Sequence, residues 1–226
     1  MAETIRVLST IAMRTVLDAA APAFERVHGV SVERVINSSI ALMRRIAEGE
    51  TADVALFTAA AIDELIAQGK MLARTDLVRS GVGVAVRKGA PKPDIGTADK
   101  FKQALLSAKS VAHSKTGASG IYFGRLIERL GIAEAVRAKA KVIDGVVAEL
   151  AARGEAELAI QQVSELMQSP GVDIVGPLPD ELQQITIFSA GVFTGAAQGE
   201  AAKAFVAFLA SPAQAALIHA NGMEPV

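Results

Sequence analysis

Apolar and polar positions along this chain switch repeatedly between two periods. Residues 4–8, TIRVL, read as a buried strand, and STIAMRTVLDAAAPAFERVHG then carries apolar residues at helical spacing as far as Gly29. Ser9 or Thr10 stands near the start of that helix, where a small hydroxyl caps free N–H groups. VSVERVI (30–36) alternates as a strand does, NSSIALMRRIAEGE repeats the hydroxyl-then-helix pattern, and ADVALFTA followed by AIDELIAQGK gives a third strand and helix. Short connections between alternating strands and helices predict a parallel, doubly wound sheet.

GVGVAVRKGAPKPDIG interrupts this rhythm, because a Gly/Val strand runs into a Pro-rich loop. The alternation then resumes. FKQALLSAK predicts a helix, SVAHS a strand, SGIYFGRLIERLG a helix with Ser119 as its N-cap, KAKVI a strand, VVAELAARGE a helix and AELAIQQ a strand. QITIFSAGVFTG (184–195) is long enough to return the chain to the first body, and the tail is a helix pair broken at Ser211-Pro212. The expectation is two α/β lobes: residues 1–80 with 191–226, and residues 81–190, with crossovers near 80–88 and 185–194.

Composition narrows the function classes. The chain has 226 residues, 51% of them hydrophobic and 21% charged, enough for two cores. A net charge of −1, with no extended Lys/Arg cluster, argues against a nucleic-acid surface. No cysteine is present, which excludes disulfides and thiolate-ligated zinc, and three scattered histidines offer no metal-ligand spacing. No apolar run reaches membrane-spanning length, and no glycine-rich nucleotide fingerprint opens a helix, so no cofactor is expected.

Three strand-to-helix turns carry small hydroxyls: Ser9-Thr10, Ser38-Ser39 and Ser119-Gly120. Ligands of open α/β sheets bind outside the carboxyl ends of strands, and helix N-termini favour anions. Two of these turns fall in one expected lobe and one in the other, so the expectation is a small anion clamped by helix starts and hydroxyls. Other polar residues read as structural: His28 and His219 beside helix-ending glycines, Asp53 as a local cap, Tyr122 as packing. Arg14, Arg44 and Arg45, each close to a hydroxyl turn, have ion pairing or a direct anion contact open to them.

The stretches FERVHGVSVERVINSSIALMRRIAEGETADVALF, SGIYFGRLIERLG, ARGEAELAI and FVAFLASPAQAALIHANGME resemble type II periplasmic solute-binding proteins, in particular the molybdate-binding group of ABC importers. The resemblance implies two hinged lobes, a small anionic ligand, an ABC permease as partner, a monomer, and a periplasmic location with the signal peptide removed. Carried over by position, the ligand contacts fall at Thr10, Ile11, Ala12, Ser38, Ser39, Ser119, Gly120, Asp144, Gly145 and Gln162. Ala12 stands where the group has a serine, and Gln162 where it has a tyrosine. Those exchanges leave the ligand open between a tetrahedral oxyanion and a small carboxylate. A branch resembling these proteins consists of aconitate isomerases, which implies an enzymatic alternative with His113 or Lys115 as base and Asp144 nearby.

Overall fold

A computed structural model describes residues 3–226 of the chain; the first two residues of the expected first lobe lie outside them. The chain divides into two compact units, residues 1–79 with 186–226 and residues 80–185. In order, the elements are β1 (Thr4–Thr10), α1 (Arg14–His28), β2 (Ser31–Asn37), α2 (Ser39–Ala47), β3 (Val54–Thr58), α3 (Ala59–Ala67), β4 (Thr75–Arg87), α4 (Ala98–Ser107), β5 (Val111–Ser114) and α5 (Ala118–Arg129). They continue with α6 (Ala133–Arg137), β6 (Ala140–Ile143), α7 (Ala148–Ala152), β7 (Leu158–Gln162), α8 (Val163–Leu166), β8 (Val172–Pro177), β9 (Ile185–Val192), α9 (Gly199–Leu209), α10 (Ala215–Ala220) and β10 (Glu224–Pro225).

In the first unit β1 lies between β2 and β3, parallel to both, and β9 adds antiparallel to β3. Side-chain alternation along the strands makes the sheet two-faced. Ile5, Val7, Val54 and Leu56 pack with Leu17, Phe24 and Phe205 from α1 and α9, whereas Leu8, Ala55 and Phe57 pack with Leu42, Ile46, Ile62 and Leu65 from α2 and α3. Both faces are therefore buried, which is why these strands read as nearly continuous apolar runs. Phe24 anchors the first face, stacked on His28 at 4.3 Å and edge-on to Phe205 at 4.9 Å. The α1 helix ends where predicted, at Gly29, whose φ of 68° is the left-handed conformation of a helix C-cap.

The second unit repeats the plan. β5 lies between β6 and β7 in parallel pairings, and the later half of β4 runs antiparallel to β7 and β8. Val82, Val84, Val111, Leu158 and Ile160 face Phe101, Phe123 and Leu126, while Ala85, Ala112 and Ala159 face Val147, Ala148 and Leu166. The doubly wound parallel core is as predicted, and β4, β8 and β9 add to it in antiparallel pairings. Runs such as VGVAV and ITIFSAGV are apolar on both faces, so direction is not encoded in their pattern. α6, α8 and β8 were not foreseen; the two helices are too short to show a period. Among the described residues no single helix is long and apolar enough to cross a membrane, and none of the His, Asp and Glu side chains form a metal-binding group.

Candidate functional site

Within the first unit, the register of β1 on β2 sets Thr10 opposite Asn37, so the two turns that follow are neighbours at the carboxyl edge of the sheet. Thr10 is extended and leads through a 3-10 turn, Ile11–Met13, into α1. The predicted capping by Ser9 or Thr10 does not occur: neither side chain caps, and Ser9 Oγ donates instead to Thr10 O at 3.2 Å. The 3-10 turn supplies backbone bonds that a cap would otherwise replace. Ile11 and Ala12 are buried, so what this turn offers a ligand is backbone.

The Ser38-Ser39 turn divides its two hydroxyls. Ser38 is the N-cap of α2 and its Oγ accepts from Ala41 N–H at 3.2 Å. Ser39 Oγ is buried and has no hydrogen-bond partner. So does Thr15 Oγ1, in the first turn of α1. Nearby cations are otherwise engaged: Arg45 pairs with Glu50, and Arg44 with Glu48 at 3.7 Å. Arg14, half-buried at the first position of α1, is the part-buried arginine that makes no ion pair among the described residues.

The second unit arranges its turn differently and reaches the same result. The helix begins two residues earlier than predicted, with Gly117 rather than Ser119 as N-cap, because Ser114 at the end of β5 accepts from Gly117 N–H at 2.9 Å. Ser119 thus sits inside the first turn of α5, 1% exposed, and its Oγ has no partner. Gly120 is required here: a Cβ would lie 1.8 Å from Ser114 O, so the helix rests directly on the strand end. A buried hydroxyl without a partner costs about 1–3 kcal/mol, which a ligand oxygen would return.

Two further turns complete this half. After β6, Asp144 accepts from Thr116 Oγ1 at 2.7 Å and Gly145 takes φ +102°. After β7, Gln162 and Glu165 form a capping box around α8, which commits the Gln162 side-chain oxygen to the helix start. Ser164 Oγ, fully buried, lacks a partner. Gln161 lies fully buried beside this box; its Oε1 accepts from Val147 N–H and its Nε2 donates to Gly145 O, both at 2.8 Å. Burial pushes the Glu165 carboxyl up to about 8, opposed by hydrogen bonds from Gln162 N–H and the Gln161 amide.

His113 points into the core face, 5.2 Å from Phe123, with Nδ1 3.1 Å from Ser114 O; burial lowers its pKa and keeps the ring neutral. Lys115 is exposed. Tyr122 donates to Leu182 O at 2.7 Å, in keeping with a packing role. Asp53 accepts from the backbone N–H groups of Arg6 and Gln198. Sequence reasoning missed Thr15, Gln161, Ser164 and Glu165; an acidic residue three positions after a helix-capping Gln was the available signal for the last. A cavity of about 700 Å³ lined by Leu72, Val192, Phe193 and Val206 shares no residue with these turns.

Residues 5–224 match the family model described as bacterial extracellular solute-binding protein. An aconitate isomerase from a Pseudomonas species is 40% identical over 232 residues, covering 99% of this chain and 88% of that protein. Among solved structures, the periplasmic molybdate-binding protein of Azotobacter vinelandii has a TM-score of 0.81 at 19% identity, covering 97% of this chain and 98% of its own. The sulfate-binding protein of Mycobacterium tuberculosis gives 0.76 at 19% identity, covering 99% and 87%. The fold, two doubly wound α/β units traversed twice by the chain, is that of the type II periplasmic solute-binding proteins, and the chain belongs to the bacterial extracellular solute-binding protein family.

Proposed function

We propose that this protein is an extracytoplasmic receptor for a small polycarboxylate of the aconitate class, and that the hydroxyl-bearing helix starts of its units are anion-binding. The observation that carries this reading is the pair of buried, unpartnered hydroxyls, Ser39 in the first unit and Ser119 in the second. Each lies in the first turn of a helix, where free N–H groups and the positive dipole end favour an anion. Thr10, Ile11, Ala12 and Ser38 accompany Ser39 in the first unit, and Gly120, Asp144, Gly145 and Gln162 accompany Ser119 in the second, mostly through backbone groups.

Two observations favour a carboxylate over a compact tetrahedral oxyanion. Arg14 is part-buried without an ion pair, and a guanidinium matches a carboxylate in a two-bonded fork. The relative that is 40% identical bears the name aconitate isomerase. As a transport component the receptor would close its lobes on the ligand and deliver it to an ABC permease.

That same relative favours a second reading, isomerisation of the bound ligand. A base removes a proton from the methylene carbon beside the double bond, the charge spreads into a carboxylate held by N–H and hydroxyl donors, and a proton returns at the other end of the allylic unit. Candidate bases are His113, kept neutral by burial, and the exposed Lys115 and Asp144. Incubation with trans-aconitate, following cis-aconitate, separates the readings: turnover establishes the isomerase, and saturable binding without turnover establishes the receptor. A thermal-shift panel of molybdate, tungstate, sulfate, citrate and trans-aconitate tests the ligand class, and stabilisation by the tetrahedral anions alone would overturn the carboxylate assignment.

A further inference from the structure

The α9 helix of the first unit has two working faces. Ala202, Phe205 and Leu209 are buried in the core against the sheet. Gly199, Lys203 and Ala207, in line at every fourth position, instead line the cavity of about 700 Å³, with Val206 beside them. Val192, which ends β9, and Phe193 line it as well. This end of β9 is fixed in place. Met71 bridges to Phe193, Thr194 N–H donates to Lys70 O at 2.8 Å, and the Thr194 hydroxyl lies 3.2 Å from both Gly69 O and Lys70 O. All of these residues belong to the first unit.

Shape, exposure and charge each describe an occupant. The cavity has the size of a small-molecule site, and its lining is mostly apolar, with Ala196, Gly199 and Ala207 leaving space that larger side chains would fill. Leu72, which also lines it, is 82% exposed, more than any other large hydrophobic side chain among the described residues. A leucine left in water at an apolar cavity is stabilised by an apolar guest that covers it. Among the described lining residues Lys203 alone is charged, so the polar end of that guest is anionic. Lys203 Nζ pairs with Glu200 at 2.7 Å, but both side chains are exposed, and such pairs contribute little. Glu200 does not line the cavity. It can turn to solvent while the Lys203 stem stays along the wall and its ammonium takes an incoming carboxylate.

We propose that this cavity is a second ligand site, for a medium-chain fatty acid, with the apolar tail against Leu72, Phe193 and Val206 and the carboxylate on Lys203. The site is distinct from the helix starts: none of the hydroxyl-bearing turns lines it. Its chemistry differs in kind as well. The turns offer hydroxyls and N–H groups to a compact anion, whereas the cavity offers apolar wall and a single cation. A polycarboxylate of the aconitate class suits it poorly, because its further charges would lose water to an apolar wall without a partner. The proposal therefore stands whether or not the helix starts bind an anion.

Calorimetric titration with octanoate, and with octanol as its uncharged counterpart, tests the proposal in wild type, Lys203→Gln and Ala207→Phe. Ala207 is exposed, so the phenylalanine fills the cavity without entering the core. The expected wild-type result is one-to-one binding of octanoate with a Kd below about 1 mM, and octanol binding roughly tenfold weaker. Lys203→Gln should lose about tenfold in octanoate affinity and nothing in octanol affinity, and Ala207→Phe should bind neither. Circular dichroism establishes that each variant is folded. A wild type that does not bind octanoate, octanoate binding that survives Ala207→Phe, or a Lys203→Gln affinity equal to wild type would overturn the proposal. Sedimentation of wild type and Leu72→Ser tests the rival occupant: a dimer that Leu72→Ser dissociates would show that a second copy covers this face, and would also overturn it.

Discussion

The two halves of this protein solve one problem by different local means. In the first unit adjacent serines share the work: Ser38 caps α2 and Ser39 is left over. In the second, the capping serine lies at the strand end, Ser114, and the residue left over is Ser119, five positions later. The first turn needs no special glycine, whereas the second needs Gly120 because its helix sits on the strand carbonyl. The first is bordered by guanidinium groups, the second by the buried Gln161 amide, which bonds Val147 N–H and Gly145 O. What the halves share is therefore the buried, unpartnered hydroxyl at a helix start, and the proposed function rests on that shared element, not on the differing supports.

The largest expected effect breaks one half only. Gly120→Ala would force a Cβ into Ser114 O, so a loss of about 3 kcal/mol or more is expected in chemical denaturation, or failure of the second unit to fold. Gly124→Ala, four residues on in the same helix with open space around it, is the contrast: a gain of about 0.5–1 kcal/mol is expected.

Next comes a pH effect confined to the second half. Between the ordinary carboxylate range and about 8, Glu165 is protonated in the folded protein and ionised in the unfolded one. The folded state then binds the extra proton, and stability falls as pH rises, by at most about 1.4 kcal/mol per pH unit, with no further fall above the folded value. Denaturation curves from pH 5 to 8 should show this slope in the wild type and lose it in Glu165→Gln.

A smaller effect distinguishes working from spare serines. Ser38→Ala removes the cap of α2 and Ser114→Ala the acceptor of Gly117 N–H, each expected to lower stability by about 1 kcal/mol. Thermal melts of Ser39→Ala and Ser119→Ala should show no such loss, since neither hydroxyl bonds to protein.

Most of this architecture is legible in the sequence because its signals are local. Strand–turn–helix units such as TIRVL with its helix, or VINSSIALM, carry their own period and their own cap, and a helix stop such as Gly29 is visible as a glycine. Strand direction was not legible, because a strand buried on both faces looks the same whichever way it runs. The placement of Ser119 as N-cap failed for a related reason: the acceptor that starts the helix, Ser114, belongs to the preceding strand. Glu165 and Gln161 escaped notice because their role depends on burial and on a loop sixteen residues away from Gln161, neither of which spacing reveals.

The central proposal is that the Ser39 and Ser119 hydroxyls, each unpartnered at a helix start of its own unit, are anion contacts. Isothermal titration of trans-aconitate into the wild type, each single serine-to-alanine variant and the double variant tests it most directly. Hydrogen bonds to a charged group contribute about 1.5–3 kcal/mol, so each single variant should bind roughly 10–100-fold more weakly, and the double variant more weakly than either. Unchanged affinity in one single variant would show that its unit does not hold the ligand, and unchanged affinity in both would contradict the account.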